Sequence, residues 1–213
     1  MDLRTLKELV RQGEGDTLEF KLKSNHPERI VREIVAFANS GGGKLLIGVG
    51  DDKAIKGLKY ADEDEYILER AIEKYCTPAI SYTKERIAIS DEREVLIFHV
   101  SRGIEKPHAV LDIFGKKKSY VRVKDKSVQA SKEMLAIMKL AKENKDTLFS
   151  YGEKEKQLMQ LLEKQKSVTV ESYATIAGIP RWLASRTLVK LVLANVLEVH
   201  PDEVLDRFTM AMY

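Results

Sequence analysis

Cysteine is almost absent from this sequence of 213 residues. Cys76 is the only one, which excludes an internal disulfide bond and a metal cluster held by cysteines. Long apolar runs are also missing, since segments such as Val95 to Phe98 and Leu191 to Ala194 fall far below the roughly 20 residues of a membrane helix. The N-terminal segment is too charged for a signal peptide, so we expect a cytoplasmic protein with no membrane partner.

A large excess of one charge is missing as well. The 36 Lys and Arg residues nearly balance 33 Asp and Glu residues, and the net charge is +3. Residues 147–213 contain eight basic and eight acidic residues, so the whole excess lies in the first part of the chain. Hydrophobic residues make up 44% of the sequence, which is enough to bury a core and excludes general disorder.

The order of apolar patterns predicts one α/β domain over residues 1–143. Its predicted helices run from Asp2, as the N-cap, to about Gln12, from Asn25 to about Asn39, from Asp62 to about Tyr75, and from about Ser131 to Lys145. Its predicted strands are Thr17 to Lys23, Lys44 to Val49, a hairpin of Ile80 to Ile89 and Val95 to Val100, and a last pair that begins after Ile113 and ends at Val123.

The sequence pattern of residues 147–213 predicts a second, small domain, which follows a polar linker at Lys142 to Asp146. A helix with a capping box at Ser150 and Glu153 precedes two further helices and a hairpin, which is the order of a winged helix. The predicted elements after the first helix are the helices Glu171 to Ala177 and Arg181 to Asn195 and the strands Val196 to Val199 and Val204 to Met210.

The glycine run Gly41-Gly42-Gly43 before Lys44 has the composition of a phosphate-binding loop but the wrong context. A P-loop follows a strand and opens a helix, whereas these glycines end a predicted helix and precede a strand. We therefore interpret the run as a helix C-cap with a close backbone turn, and we expect no ATP site.

Three carboxylates, those of Glu14, Glu19 and Asp51, are candidate ligands of a catalytic metal ion. Glu19 and Lys21 lie on one face of a predicted strand, Glu14 precedes that strand, and Asp51 follows the neighbouring strand. Carboxylates that converge repel one another unless a cation holds them, and oxygen ligands without His or Cys favour Mg²⁺ or Mn²⁺. From spacing alone, charged residues on a solvated strand face are the favoured interpretation, because an isolated Glu-x-Lys pattern is common there.

A basic cluster surrounds Tyr120. Cations interleaved with an aromatic ring suit a phosphate backbone with a base stacked beside it, although a solvated hairpin has the same composition. The candidate contacts are Lys116, Lys117, Lys118, Tyr120, Arg122 and Lys124.

The predicted third helix of the second domain carries Arg181, Trp182 and Arg186, and the two arginines are candidate DNA contacts. The predicted wing carries Asp202, Glu203 and Asp206, which a DNA backbone would repel. Contact with DNA and contact with protein therefore remain equally open for this domain.

Four stretches of the first domain together resemble the Schlafen AlbA_2 domain family. Their order and spacing match over roughly residues 10–140. They are Glu14-Gly-Asp-Thr-Leu-Glu-Phe-Lys21, the stretch Ile34 to Val49, Lys106-Pro-His108 and Tyr120-Val-Arg122.

The resemblance implies a mixed-sheet, nucleic-acid-binding domain that pairs into a homodimer. In nuclease members, two glutamates five residues apart and a later aspartate bind a divalent metal and cleave RNA or single-stranded DNA. Glu14 and Glu19 match the pair, and Asp51 or Asp52 matches the aspartate. We predict a Mg²⁺- or Mn²⁺-dependent nuclease in which Lys21 contacts the phosphate or the attacking water. The alternative is a non-catalytic transcription regulator that binds DNA through its winged helix.

Overall fold

The computed structural model describes residues 1–112, 114–141 and 151–211. It divides into two compact units, Met1–Gln129 and Ala130–Tyr213. Within the described ranges, no helix is long and apolar enough to cross a lipid bilayer. Three predictions lie outside the described residues: the linker at 142–146, the cap at Ser150 and the segment at Ile113 that precedes the last pair of strands.

Unit 1 is a mixed α/β domain, as predicted. Its helices are α1 (Leu3–Gln12), α2 (Pro27–Asn39) and α3 (Ala61–Tyr75). Its strands are β1 (Leu18–Lys21), β2 (Gly43–Ile47), β3 (Cys76–Thr77), β4 (Tyr82–Ser90), β5 (Arg93–Val100), β6 (Ala109–Leu111), β7 (Lys117–Lys118), β8 (Tyr120–Val123) and β9 (Lys126–Gln129).

The main sheet has the strand order β1-β2-β5-β4 and is covered on both faces. β1 and β2 run parallel through the α2 crossover, while β2–β5 and β5–β4 are antiparallel. Leu45 and Ile47 of β2 join the core on the α2 side, and Leu46 joins the core that contains Leu6 of α1. Burial on both faces explains why β2 is apolar without alternation.

The helix boundaries confirm the predicted cap at Asp2 and correct the predicted starts of the next two helices. The Asp2 carboxylate accepts a hydrogen bond from the Thr5 amide at 2.8 Å, as an N-cap does. The α2 helix begins at Pro27 after His26, so Asn25 is not its cap. Asp62 lies in the first turn of α3, where it forms an ion pair with Arg86 at 2.7 Å instead of capping the helix.

The glycine run follows the end of α2, as predicted, and its last residue, Gly43, is the first residue of β2. The Gly42 amide donates to the Phe37 carbonyl at 2.9 Å, and the φ angle of Gly42 is +84°. A Cβ atom there would lie 2.8 Å from the Val100 carbonyl oxygen. The glycines therefore close a helix against a neighbouring strand.

Unit 2 contains four helices among its described residues, followed by one hairpin. They are α4 (Lys132–Ala141), α5 (Glu153–Gln165), α6 (Val170–Ala177), α7 (Arg181–Leu193), β10 (Leu197–His200) and β11 (Arg207–Met210). The hairpin pairs Leu197 with Met210 in antiparallel register. The order from α5 to β11 is the predicted one, and the designation as a winged helix stays a prediction.

The α4 helix belongs to unit 2, although the sequence pattern led us to end the first domain after it. Ser131 caps this helix, with its hydroxyl accepting from the Met134 amide at 3.0 Å and donating to Asp206 at 2.5 Å. Glu133 of α4 accepts from the Ser185 hydroxyl of α7 at 2.6 Å. These long-range contacts have no signal in the local sequence.

Candidate functional site

Arg122 of β8 is the centre of a buried polar network in unit 1. Its guanidinium donates to the carbonyls of Gly15 at 3.0 Å and Leu18 at 3.2 Å. It also forms ion pairs with Glu19 at 2.6 Å and Glu33 at 2.7 Å. Only 1% of its side chain is exposed, so Arg122 is not available to a phosphate. The prediction that it contacts nucleic acid is therefore wrong, and its role is to hold β1 and α2 to β8.

Glu19 of β1 has both carboxylate oxygens occupied. One binds Arg122, and the other contacts the ammonium group of Lys21. Lys21 also donates to the Phe20 carbonyl at 2.9 Å. The structure therefore brings Glu19 and Lys21 together on one face of the strand, as the alternation predicts.

Glu14 precedes this pair in the chain, and its pKa is affected by the negative charges of Glu19 and Asp51. Its Oε1 atom accepts from the Phe20 amide at 2.8 Å. Burial raises the pKa of Glu14, and the negative charges of Glu19 and Asp51 raise it further, while the Phe20 amide and Lys21 act in the opposite direction. Glu14, Glu19 and Asp51 thus share one electrostatic environment.

The arrangement does not fit a preformed metal site. Among the described residues, no group of three or more His, Cys, Asp or Glu side chains could hold a metal ion. Glu19 is neutralised by Lys21 and Arg122, which leaves it without an oxygen for a metal. Asp52, the other candidate for the third ligand, accepts from the Ala54 amide at 3.1 Å and stabilises its own turn.

Glu33 of α2 completes the network and was not predicted. It binds Arg122 and the Ser127 hydroxyl. Burial raises the pKa of Glu33, the Ser127 hydrogen bond lowers it, and the charge of Glu19 raises it again. The sequence signal is weak, because Glu33 lies beside Ile34 at the edge of an apolar helical stripe and its partners are about 90 residues away.

Asn39, at the end of α2, joins two distant segments. Its amide nitrogen donates to the carbonyls of His108 at 2.8 Å and Tyr120 at 2.9 Å, and its oxygen accepts from the His108 amide at 2.8 Å. The side chain is 3% exposed. Asn39 therefore satisfies backbone groups that the short strands leave unpaired.

Ser40 and Lys106 extend the same junction. The Ser40 hydroxyl accepts from the Arg122 amide at 2.8 Å, and the Lys106 ammonium group donates to the carbonyls of Asn39 at 2.5 Å and Ser40 at 2.9 Å. Burial, aided by the charge of Arg102, lowers the pKa of Lys106 to about 8. The four stretches that carry the family resemblance are thus bonded to one another through their polar groups.

The basic cluster separates into exposed and enclosed groups. Lys116, Lys117 and Lys124 are exposed, and within the described ranges their ammonium groups have no carboxylate partner. Lys118 is half-buried and lines a pocket of about 280 Å³ together with Tyr120, which is 8% exposed. Tyr120 is therefore a wall of a pocket and not an exposed stacking platform.

The candidate DNA contacts of unit 2 also differ from one another. Arg181 forms an ion pair with Glu171 at 2.6 Å, whereas Arg186 is exposed beside a pocket that Trp182 also lines. Trp182 is 64% exposed. Arg186 is thus the more available of the two arginines.

The amino-acid sequence matches no curated protein. The structure is similar to that of the N-terminal domain of a RecG-related protein from Nitrosomonas europaea, with 18% identity, a TM-score of 0.44, and 57% of this chain and 88% of that chain covered. It is also similar to the DIP2311 protein from Corynebacterium diphtheriae, with 16% identity and a TM-score of 0.42. That match covers 65% of this chain and 30% of the other. Both scores are below 0.5, so neither likeness assigns a function to this chain.

The family comparison agrees with the resemblance that the sequence motifs indicate. The matched residues are 14–131, more than half of the chain, and they begin at Glu14 and include Arg122. They also include the Asn39 junction and the basic cluster. The chain therefore belongs to the Schlafen AlbA_2 family.

Proposed function

We propose that this chain binds single-stranded nucleic acid through unit 1, with Lys116, Lys117 and Lys124 as its phosphate contacts. The observation that carries the proposal is the exposure of these three ammonium groups without a carboxylate partner among the described residues. Such cations neutralise phosphates and release counterions, which supplies most of the sequence-independent affinity for nucleic acid. Membership in the Schlafen AlbA_2 family supports a nucleic-acid-associated function.

The pocket beside the lysines favours a single strand over a duplex. Tyr120 and Lys118 line it, and Lys116 and Lys117 precede it in the chain. A base enters such a pocket only when it is unpaired, because pairing and stacking hide its edge and faces in a duplex. RNA and single-stranded DNA both meet this condition.

Fluorescence anisotropy with labelled RNA, single-stranded DNA and duplex DNA tests the proposal. The triple variant Lys116→Ala, Lys117→Ala, Lys124→Ala is expected to bind both single strands at least tenfold more weakly than the wild type. The matched control removes three exposed lysines elsewhere in unit 1, Lys7, Lys56 and Lys59. Equal losses in the two triple variants would show that the affinity depends on net charge alone and would contradict the assigned surface.

A second candidate function is metal-dependent cleavage of RNA or single-stranded DNA. One observation favours it: the negative charges of Glu19 and Asp51 both act on Glu14 and raise its pKa, so the three carboxylates share one electrostatic environment. The contact between Lys21 and Glu19 would have to open before Glu19 could hold Mg²⁺ or Mn²⁺. The same rearrangement would free the Lys21 ammonium group for a phosphate.

Incubation of labelled RNA and single-stranded DNA with Mn²⁺ or with EDTA tests cleavage. Glu14→Gln and Asp51→Asn are better variants than Glu19→Ala, because they leave the partner of the buried Arg122 in place. We expect metal-dependent products from the wild type and none from Glu14→Gln at unchanged binding. Absence of products from the wild type, or equal cleavage by the variant, would reject the nuclease and leave the binding function.

The regulator alternative stays a proposal that rests on unit 2. Arg186 is exposed beside Trp182, and Arg181 is engaged by Glu171. If this unit reads duplex DNA, then Arg186→Ala should remove sequence-selective duplex binding, and Arg181→Ala should have the smaller effect. Retention of selective binding by Arg186→Ala would exclude this helix as the reader.

A further inference from the structure

The pocket in unit 1 is lined by aromatic and apolar residues as well as by cations. Its walls include the side chains of Tyr75 and Tyr120, and Val110 makes part of the lining apolar. The Arg32 guanidinium lies 5.8 Å from the centroid of the Tyr120 ring. Aromatic and guanidinium planes of this kind stack on flat heterocycles.

The size of the pocket limits its ligand. Its volume is about 280 Å³. Pockets for drug-sized ligands range over roughly 300–1,000 Å³, so this one suits a smaller planar group such as one base. Lys118 lies on the same lining and can hold a phosphate next to that base.

Two carboxylates, those of Glu28 and Asp112, lie on the lining of the pocket. Asp112 uses Oδ1 to accept from the amides of Phe114 at 2.9 Å and Lys116 at 2.8 Å, and its Oδ2 atom has no protein donor among the described residues. Glu28 is exposed, with His26 at 3.6 Å as its neighbour. Ionised carboxylates only accept hydrogen bonds, so a matching ligand must present donors.

We propose that this pocket binds one unpaired base that carries an exocyclic amino group, with the 4-amino group of cytosine preferred over the 4-carbonyl group of uracil. Cytosine donates where uracil accepts, and acidic side chains recognise that donor. The inference rests on the proposed single-strand binding and adds base selectivity to it. The Asp112 and Glu28 carboxylates are the selecting groups, the exposed Arg32 guanidinium stacks on the ring, and Tyr120 forms a wall beside it.

Binding of oligocytidine and oligouridine RNA of equal length tests the inference with the full chain. The readout is the ratio of the two dissociation constants, which a general change of charge does not move. A good polar match discriminates by about 1–3 kcal/mol, so we expect the wild type to prefer cytidine by roughly tenfold. The double variant Glu28→Gln, Asp112→Asn should lose this preference, because amide groups also donate to the uracil carbonyl.

The variants preserve the fold around the pocket. Asparagine at position 112 still presents an acceptor to the Phe114 and Lys116 amides. Glu63→Gln, at an exposed position of α3 outside the lining, is the matched control and should keep the wild-type ratio. Arg32→Ala should weaken cytidine binding by at least fivefold relative to Arg29→Ala on the same helix.

The outcomes separate the two proposals. If the wild type binds neither oligonucleotide at low salt, then single-strand binding itself fails. If it binds both equally, or if the double variant keeps the wild-type preference, then base selection by this pocket is overturned while single-strand binding stands. Loss of the preference in the double variant alone supports the assignment of Glu28 and Asp112.

Discussion

The Arg122 guanidinium is buried between two glutamates and two backbone carbonyls, and it is over 80 residues from all of them in the chain. Burying the guanidinium or either carboxylate by itself would be costly, because a buried charge without its partner is uncompensated. The motif Tyr120-Val-Arg122 is therefore a structural signature of the fold. It gives β1, α2 and β8 one common anchor.

Replacement of Arg122 tests this role. Arg122→Met leaves Glu33 without its cation and leaves Glu19 with Lys21 alone, and it is expected to lower the free energy of unfolding by about 3–5 kcal/mol. Lys124→Ala, two residues away and exposed, should change it by less than about 0.5 kcal/mol. Urea denaturation followed by circular dichroism measures both. A small loss for Arg122→Met would show that the ion pairs are not a principal anchor.

Glu14 gives a prediction about pH. Its pKa is raised from an ordinary value near 4.5, mainly by burial. A carboxyl with a raised pKa contributes stability that is present at low pH and is lost as pH rises through the folded-state pKa. Glu14→Gln keeps an acceptor for the Phe20 amide and does not ionise. The wild type should therefore lose stability relative to Glu14→Gln between pH 4 and pH 7.

Urea denaturation of both proteins across this range measures the difference, and Glu8→Gln at an exposed site is the control. A difference that stays constant with pH would mean that the fold does not penalise the ionisation of Glu14.

At the scale of single side chains, the sequence predicted proximity better than burial. The alternation of β1 was sufficient to place Glu19 beside Lys21, because period two is a local property of strands. It could not show that Glu33 shares Arg122 with Glu19, or that Tyr120 is 8% exposed. Burial of a β8 residue depends on α2 packing over it, and that contact spans about 80 residues.

Helix α2 and the turn after it organise the elements of unit 1. The helix packs on the main sheet with one face, and its last residues bind the segments that contain His108 and Tyr120. Glycines at the turn allow β2 to start beside Val100 without a steric clash. Helix, turn and strand therefore form one unit whose spacing is recognisable in sequence.

Two neighbouring glycines test the turn. Gly42→Ala forces a Cβ atom to within 2.8 Å of the Val100 carbonyl at a φ angle of +84°. We expect it to lower the free energy of unfolding by about 1–3 kcal/mol. Gly41→Ala meets no atom within 4 Å and should change stability by less than about 0.5 kcal/mol. Equal effects, measured by thermal or urea unfolding, would contradict the steric explanation.

Among the elements, long periodic segments were predicted well and short strands were not. The β4–β5 hairpin and helix α1 agree closely with their sequence patterns. The two-residue strands β3 and β7 are too short to carry a period and depend on pairing with β6. The start of α3 was predicted at Asp62 because an acidic residue there resembles a cap, whereas its carboxylate binds Arg86.

On the scale of the whole molecule, the family resemblance also predicts a homodimer. Size-exclusion chromatography with light scattering at micromolar concentration should then give twice the mass of one chain. A particle with the mass of a single chain, at the concentrations where nucleic acid binds, would contradict the dimer. Binding through Lys116, Lys117 and Lys124 does not require it.

The two units divide the functional hypotheses between them. Unit 1 carries most of the family match, the exposed lysines and the pocket that Tyr120 lines, and its 24 basic and 22 acidic residues hold most of the excess positive charge of the chain. Unit 2 has 12 basic and 11 acidic residues and an exposed Arg186. Loss of single-strand binding should therefore follow from changes in unit 1 and not from Arg186→Ala.

The salt dependence of single-strand binding tests the central claim most directly. The logarithm of the affinity falls with the logarithm of the salt concentration by about 0.7 for each phosphate neutralised on a single strand. If Lys116, Lys117 and Lys124 each neutralise one phosphate, the slope for the triple alanine variant should be smaller than that of the wild type by about 2. Identical slopes for the two proteins would contradict the claim that these lysines contact the backbone.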